Sequence, residues 1–402
     1  MKYLLLLSTF CQVNLLYAIS ISCKRVLVIG GSGRVGGSAV RALTCGQGGI
    51  ELNVDIGGRS EIKYHEIIAR HNLYKNRVGF RFVDIHDEAS LLRALPGYDL
   101  VVNTAGPFQG LDKCLVLLKC MELGMQYLDV CDDISLSRIN RGREMRALAS
   151  KTGGSAIIST GIWPGASSLL ARRVIEKSGG PSGVEDVRFS FFTAGSGGAG
   201  KTILTATFLL LGEDVLTYRD GLPEYRSTAT DAINVDFGLL GKKYVARLNL
   251  IECESCASFL KRSGRSTGFN IETRFGTAPP IWNSLFTLMA RYVPQSILKD
   301  REAMDTLALV SLPMVRLVDS FVGSQNGIRV DVKNDAGEVF TGVLHHDDLE
   351  KAVGDSICAF AIQSLIGNVP KGGIYFPEEI DNDAYIDGVL NFAARDAVEY
   401  YY

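Results

Sequence analysis

Few of the side chains that advertise chemistry are present: five histidines, two tryptophans and nine cysteines in 402 residues. The cysteines are too thinly spread for a disulfide scaffold. The one close pair, Cys253-x-x-Cys256, has no second pair at zinc spacing and reads as two small residues in a strand-loop, so no metal site is expected. His65 and His71 fall on a polar helix as surface residues, and His345-His346-Asp347-Asp348 reads as a helix-capping segment. Neither sign of charge prevails: 42 Lys and Arg against 44 Asp and Glu leave a net −2. The chain therefore lacks the basic field that a nucleic-acid backbone needs. Only 11 prolines and a hydrophobic share of 47% exclude a disordered or low-complexity chain. No internal repeat is visible. Past residue 23 no apolar run is long enough to span a bilayer.

What is present begins with residues 1–23, MKYLLLLSTFCQVNLLYAISISC. One lysine, an apolar run and a small-residue site at Leu16-Tyr17-Ala18 make the pattern of a secretory signal peptide. An uncleaved anchor is the rival, since Tyr3 to Ile21 is barely long enough to span, but Gln12 and Asn14 interrupt it. The expectation is a targeting segment leading to the secretory route or an organelle, a plastid included, with no stable membrane span after cleavage. A mis-assigned start would leave a cytoplasmic protein.

The length predicts two or three domains. Lys24 to Ile29 is a short β-branched run, the mark of a buried parallel strand. Gly31-Ser32-Gly33-Arg34-Val35-Gly36 follows and Ser38 to Leu43 reads as a helix, so a G-x-G-x-x-G lies between strand and helix. The first glycine permits a tight turn, the second lets backbone approach a pyrophosphate, and the third lets helix pack on strand. At the tip of the second strand, an NAD site would carry an acid for the ribose 2′-hydroxyl. This sequence carries Arg59 and Ser60, which suit a 2′-phosphate, with Asp55 set back inside the strand. The cofactor expected is NADP(H). Strands then alternate with helices through Val78–Val83, Asp99–Asn103, Gln126–Val130 and Ala156–Ser159, with 137–150 helical, which predicts a doubly wound parallel sheet. Ligands bind at the carboxyl ends of such strands. Asp84, Ala105, Gly106, Pro107, Asp129 and Asp132 are therefore expected around one crevice with the glycine loop, and Cys131 is the best-placed cysteine in it.

The segments VLVIGGSGRVGG, GGRS, VVNTAGPFQG, YLDVCDD and GIWPGASSLLA resemble the saccharopine dehydrogenase-like oxidoreductase family, as do AGSGGAGKTILTATFLLLGE and GGIYFPEE further on. The resemblance runs from about Lys24 onward and is most specific over the first 130 residues of that stretch. It implies an NADP-binding Rossmann domain, a second α+β domain for substrate and dimer contacts, and oxidoreductase chemistry. It does not imply saccharopine as substrate, and the chain lacks arginine clusters for a multi-carboxylate. The organisation expected is a targeting segment (1–23), a Rossmann domain (24–160), an α+β substrate domain (161–345) and a C-terminal helical return (346–402).

Within the second domain, Gly195 to Thr202 fits G-x-x-x-x-G-K-T between a strand and a helix, the P-loop pattern. A P-loop nucleotide-binding protein is thus a rival reading. Against it, Lys243–Glu252 and Gly268–Phe275 read as antiparallel strands, and the nearest magnesium-type aspartate, in Val318-Asp319, lies in a helix-like segment. Residues 213–236 read as polar loop, and 281–292, 307–321 and 349–366 as helices. Residues 328–333 and 338–344 make a hairpin around Asn334-Asp335-Ala336-Gly337. For catalysis the candidates are Asp129 or Asp132 near the nicotinamide and Lys201 as donor to a carbonyl or carboxylate. Tyr127 fits a core role better. Three functions follow: hydride transfer at a small C=O, C=N or C–N centre; a non-catalytic NADP-binding module, motivated by the lack of an evident acid–base pair; and P-loop chemistry.

Overall fold

The computed structural model describes residues 23–45, 50–73, 77–195 and 200–402. The proposed targeting segment lies outside the described residues apart from Cys23, and so do positions 196–199 of the Gly195–Thr202 loop. The first half alternates strand and helix: β1 (Lys24–Ile29), α1 (Arg34–Thr44), β2 (Leu52–Gly58), α2 (Glu61–Arg70), β3 (Val78–Phe82), α3 (Glu88–Ala94), β4 (Leu100–Asn103), α4 (Leu115–Glu122), β5 (Gln126–Asp129), α5 (Ile134–Asn140), α6 (Arg143–Thr152) and β6 (Ser155–Ile157). The predicted helix 137–150 is two helices, broken at Arg141-Gly142. Val26 to Ile29 and Leu100 to Asn103 are all buried, as strands covered on both faces must be.

The second half runs α7 (Ala166–Lys177), β7 (Val184–Ala194), α8 (Lys201–Leu210), β8 (Val215–Arg219), β9 (Leu222–Arg226), β10 (Ile233–Asp236), β11 (Lys242–Arg247), α9 (Glu252–Arg262), β12 (Asn270–Ala278), α10 (Ile281–Tyr292), α11 (Gln295–Leu298), α12 (Arg301–Val322), β13 (Gln325–Asn334) and β14 (Val339–His346). It closes with α13 (Leu349–Leu365), β15 (Gly373–Tyr375), α14 (Asp383–Ala393) and β16 (Glu399–Tyr401).

One sheet has the order β15-β6-β5-β4-β1-β2-β3, with every pairing parallel. Its direction of winding reverses between β1 and β4, which opens a crevice at their carboxyl ends. The other sheet runs β10-β11-β12-β7-β13-β14-β16, with the β8–β9 hairpin attached to β12. Its centre pairs β7 with β12 in parallel and with β13 antiparallel. The chain is a two-domain α/β fold with a Rossmann sheet first and a mixed sheet second.

Several segments depart from the sequence reading. Residues 213–236 hold three strands, not polar loop: β8 is buried over its first four residues, whereas β9 and β10 are mostly exposed or half-buried. The strand expected over Lys243–Glu252 ends at Arg247, and Glu252 opens a helix. Cys253 and Cys256 thus sit on the buried face of α9, one helical turn apart, and not in a strand-loop. The helix expected over 307–321 begins earlier, at Arg301. The C-terminal return carries strand as well as helix: α13 packs on α1, β15 becomes the seventh strand of the first sheet, and β16 pairs with β14 in the second. His345 and His346 end β14 and are buried; Asp348 caps α13 instead. His71 is half-buried at the end of α2, where desolvation lowers its pKa.

Candidate functional site

The turn between β1 and α1 closes so tightly that side chains cannot enter it. Gly30 has φ +79°, and a Cβ on Gly36 would lie 2.4 Å from the Gly30 carbonyl oxygen and 2.5 Å from Thr104 Oγ1. A Cβ on Gly31 would lie 2.9 Å from the Val28 oxygen, so Gly31 serves the turn and is absent from the cleft wall. Gly33 caps α1 without a side chain, which leaves the first helical amides facing outward for an anion. Ser32, Gly33, Arg34, Val35 and Gly36 line a cleft of about 1550 Å³, together with Ala105, Gly106 and Pro107 from the loop after β4. Arg34 also reaches out to Glu350 on α13, Nε to Oε2 at 3.2 Å.

At the ribose end Arg59 and Ser60 line the same cleft, and Lys63 joins them. Ser60 caps α2, its hydroxyl accepting the Lys63 amide at 3.4 Å. Arg59 is exposed, with no ion pair to any described residue. Two cations and a helix N-terminus thus converge where a 2′-phosphate would lie, and no carboxylate lines that end. Lys63 escaped sequence reasoning, although it stands one turn beyond Ser60. Asp84 does not reach the wall; its carboxylate accepts the His86 amide at 3.0 Å, and Val83, Ile85 and His86 line the cleft instead. Asp55 is held by the Tyr98 hydroxyl and by Arg25. The cradle fits a phosphorylated dinucleotide.

At the other end of the cleft two carboxyls meet. Asp132 follows β5 and accepts Gln109 Nε2 at 2.8 Å; burial pushes its pKa up to about 6. Glu252, the first residue of α9, is 2% exposed and accepts the Ser167 hydroxyl at 2.8 Å; burial pushes it up to about 7, and the charge of Asp132 adds to the rise. Both line the cleft. A single glutamate with no motif around it gave the sequence reading nothing to find. Trp163, on the loop from β6 to α7, lines the cleft and packs against Phe191, ring centroids 4.9 Å apart and planes tilted by 34°.

The remaining candidates do other work. Asp129 is fully buried and absent from the cleft wall; it accepts the amides of Ser159 and Cys131 and the Tyr127 hydroxyl, tying β5 to β6. Cys131 is also absent from the wall, and burial raises its thiol well above the usual range, which leaves it inert. Lys201 lines the cleft but is paired with Asp305 of α12 at 3.0 Å. Thr205 donates to the same aspartate at 2.7 Å. The P-loop's lysine position is therefore neutralised from within, and β7 before it stands in a mixed sheet rather than the parallel one of P-loop proteins. Arg301, not foreseen either, donates to the carbonyls of Pro107 and Gln109 and joins the two domains across the cleft mouth.

Residues 26–158 match the family model described as the saccharopine dehydrogenase NADP binding domain. That match spans β1 to β6 and so covers the first domain. No curated protein matches the chain. Among solved structures, apo saccharopine dehydrogenase (L-Glu forming) from Saccharomyces cerevisiae is similar over 94% of this chain and 99% of its own, at 13% identity and a TM-score of 0.62. A meso-dapdh mutant with DAP from Clostridium tetani E88 is similar over 90% and 95%, at 15% identity and a TM-score of 0.42. The yeast likeness shows that the saccharopine dehydrogenase-type domain and the domain after it share one two-domain fold with that enzyme. The family description and this site agree on a nicotinamide dinucleotide as cofactor.

Proposed function

We propose that the chain is an NADP(H)-dependent oxidoreductase acting at a C=O, C=N or C–N centre, with Glu252 and Asp132 handling the proton. The observation that carries this reading is a single cleft whose wall holds both a dinucleotide cradle and two carboxyls, the half-buried Asp132 and the buried Glu252, with pKa values raised to about 6 and about 7. When bound, the nicotinamide supplies or accepts the hydride. The first-turn amides of α1 bind the pyrophosphate, and Arg59, Ser60 and Lys63 take the 2′-phosphate. Trp163 walls off water at the reacting end. In the reducing direction Glu252, held by Ser167, donates its proton to the substrate oxygen or nitrogen; in the oxidising direction its carboxylate takes that proton back. Gln109 fixes Asp132, and burial, with the charge of Asp132 adding to it, raises the pKa of Glu252 to about 7.

Binding of NADPH and NADH, followed by nicotinamide fluorescence, tests the reading. NADPH is expected to bind at least about tenfold more tightly, since a phosphate paired with two cations contributes on the order of 1–3 kcal/mol. Arg59→Ala should erase that preference and leave NADH affinity unchanged. Equal affinities in the unaltered protein would refute the assignment of NADP(H). Localisation is proposed from the first 23 residues alone: an organelle reached through the secretory route. A mature N-terminus near Ile19 supports it, and retention of Met1 in protein from the source refutes it.

A further inference from the structure

The cleft wall continues beyond the dinucleotide cradle. Ligand pockets run to about 300–1,000 Å³, whereas this one measures about 1550 Å³ and extends past the carboxyl pair into the second domain. That extension is walled by three helices of apolar side chains: Leu204 and Phe208 of α8, Phe286 and Met289 of α10, Leu307 and Met314 of α12. Phe208 is buried in a small core cluster on which Leu204, Phe286, Met289 and Leu307 pack, but the wall is only partly closed. The helix α10, IWNSLFTLMARY, buries no residue fully, and Met314 is 50% exposed. Contiguous apolar surface marks a ligand groove or an interaction surface, and its place in the same cleft as the carboxyls favours the groove.

Charge says what that occupant is not. Lys201 is matched by Asp305, Arg34 by Glu350, and Arg301 donates to main-chain carbonyls. The cations lining the cleft without an ion pair to a described residue, apart from Arg301, are Arg59 and Lys63, at the ribose end. A substrate carboxylate facing Asp132 and Glu252 would carry a desolvation cost of several kcal/mol, and the one cation on the second-domain side of the cleft without an acidic partner among the described residues, Arg301, is already committed to two carbonyls.

We propose that the substrate is lipophilic: a molecule with one carbonyl- or imine-type centre at Trp163 and Glu252 and a hydrocarbon chain laid between α8, α10 and α12. This rests on the oxidoreductase reading and narrows it to a substrate class.

The test uses the full chain and the neutral fluorescent probe N-phenyl-1-naphthylamine, displaced in turn by decanal and by 2-oxoglutarate, with NADPH affinity measured on the same samples. Decanal should displace the probe at micromolar concentration and 2-oxoglutarate should not at millimolar. Phe286→Asp and, separately, the half-exposed Met314→Gln should weaken the probe, the former by about tenfold or more, while NADPH affinity stays within about twofold and reports that the fold is intact. Leu309→Asp and Val310→Asp, on the outward face of α12, should change neither. Displacement by 2-oxoglutarate, or a probe that ignores Phe286→Asp and Met314→Gln, overturns the proposal. So does a probe lost on the outward substitutions, which would assign the apolar surface to a membrane or another protein. Loss of NADPH binding in the unaltered protein would instead strike the oxidoreductase reading and leave the probe result to be judged alone.

Discussion

At Gly36 one methyl group separates a dinucleotide cradle from a blocked turn. A Cβ there meets backbone at 2.4 Å and Thr104 Oγ1 at 2.5 Å, and backbone cannot swing aside as a side chain can. Gly36→Ala is expected to weaken NADPH on the order of a hundredfold, about 3 kcal/mol, in a calorimetric titration; an affinity within threefold of the original would contradict the cradle. Glu252 makes the second residue-scale prediction. As a general acid it must be protonated, and the protonated form dominates below about 7. Reductive turnover should therefore fall as pH rises through 7. Glu252→Gln should lower the rate by roughly 10²–10⁴, flatten that limb of the profile, and leave NADPH affinity intact. A variant that keeps the pH 7 limb would assign it to another group. The glycine loop and Arg59 were legible because their chemistry demands fixed residue types at fixed spacing. Glu252, Lys63 and Arg301 were not, because the fold brings each to the cleft from an element that carries no motif.

At the scale of elements, α13 is the late helix whose return to the first domain the family resemblance suggested. Its docking onto α1 depends on small residues. A Cβ on Gly354 would lie 2.3 Å from Ser38 Oγ and 2.6 Å from the Ser38 carbonyl. Gly354→Ala should therefore destabilise by about 1–3 kcal/mol in urea unfolding. It should also weaken NADPH, since α1 presents the phosphate-binding amides; an unchanged midpoint would show that the helix pair can re-seat. The strands of the first sheet were readable because burial on both faces leaves unbroken apolar runs such as Val26–Ile29. β9 and β10 were not, because strands such as Leu222–Arg226 carry exposed polar side chains and so resemble loop, and the buried β8 beside them is only five residues long. α9 was misread because the apolar Leu248, Leu250 and Ile251 seemed to prolong β11. Its buried face, Cys253, Cys256, Ala257 and Leu260, does keep helical spacing.

At the scale of the whole molecule, the two domains and the C-terminal return meet at one buried charge cluster. Arg141, at the end of α5, pairs with Glu379, donates to Ser258 of α9 and lies 3.9 Å over the Phe376 ring. Arg141→Ala should cost about 3–5 kcal/mol, because it leaves Glu379 buried without its partner; a fall in melting temperature of less than a degree would show that the joint does not depend on it. Beside the pair Glu378 is fully buried, and desolvation pushes it from the ordinary 4.5 up to about 7. Between those values the folded state binds a proton that the unfolded chain releases. Stability is therefore full below about 4.5 and declines as pH rises to 7. Glu378→Gln should flatten unfolding free energy across that window, by about 3 kcal/mol between its ends.

The seventh strand has a consequence for how the protein is made. β6 acquires its outer neighbour only when β15 arrives from far down the chain. A ribosome adding about 5–20 residues per second takes roughly ten to forty seconds to travel from one to the other. Throughout that interval the nascent first sheet ends at β6, whose unpaired backbone is a template for any passing strand. The newborn domain needs shelter, by a holding chaperone or by the ribosome itself, until the last part of the message has been read.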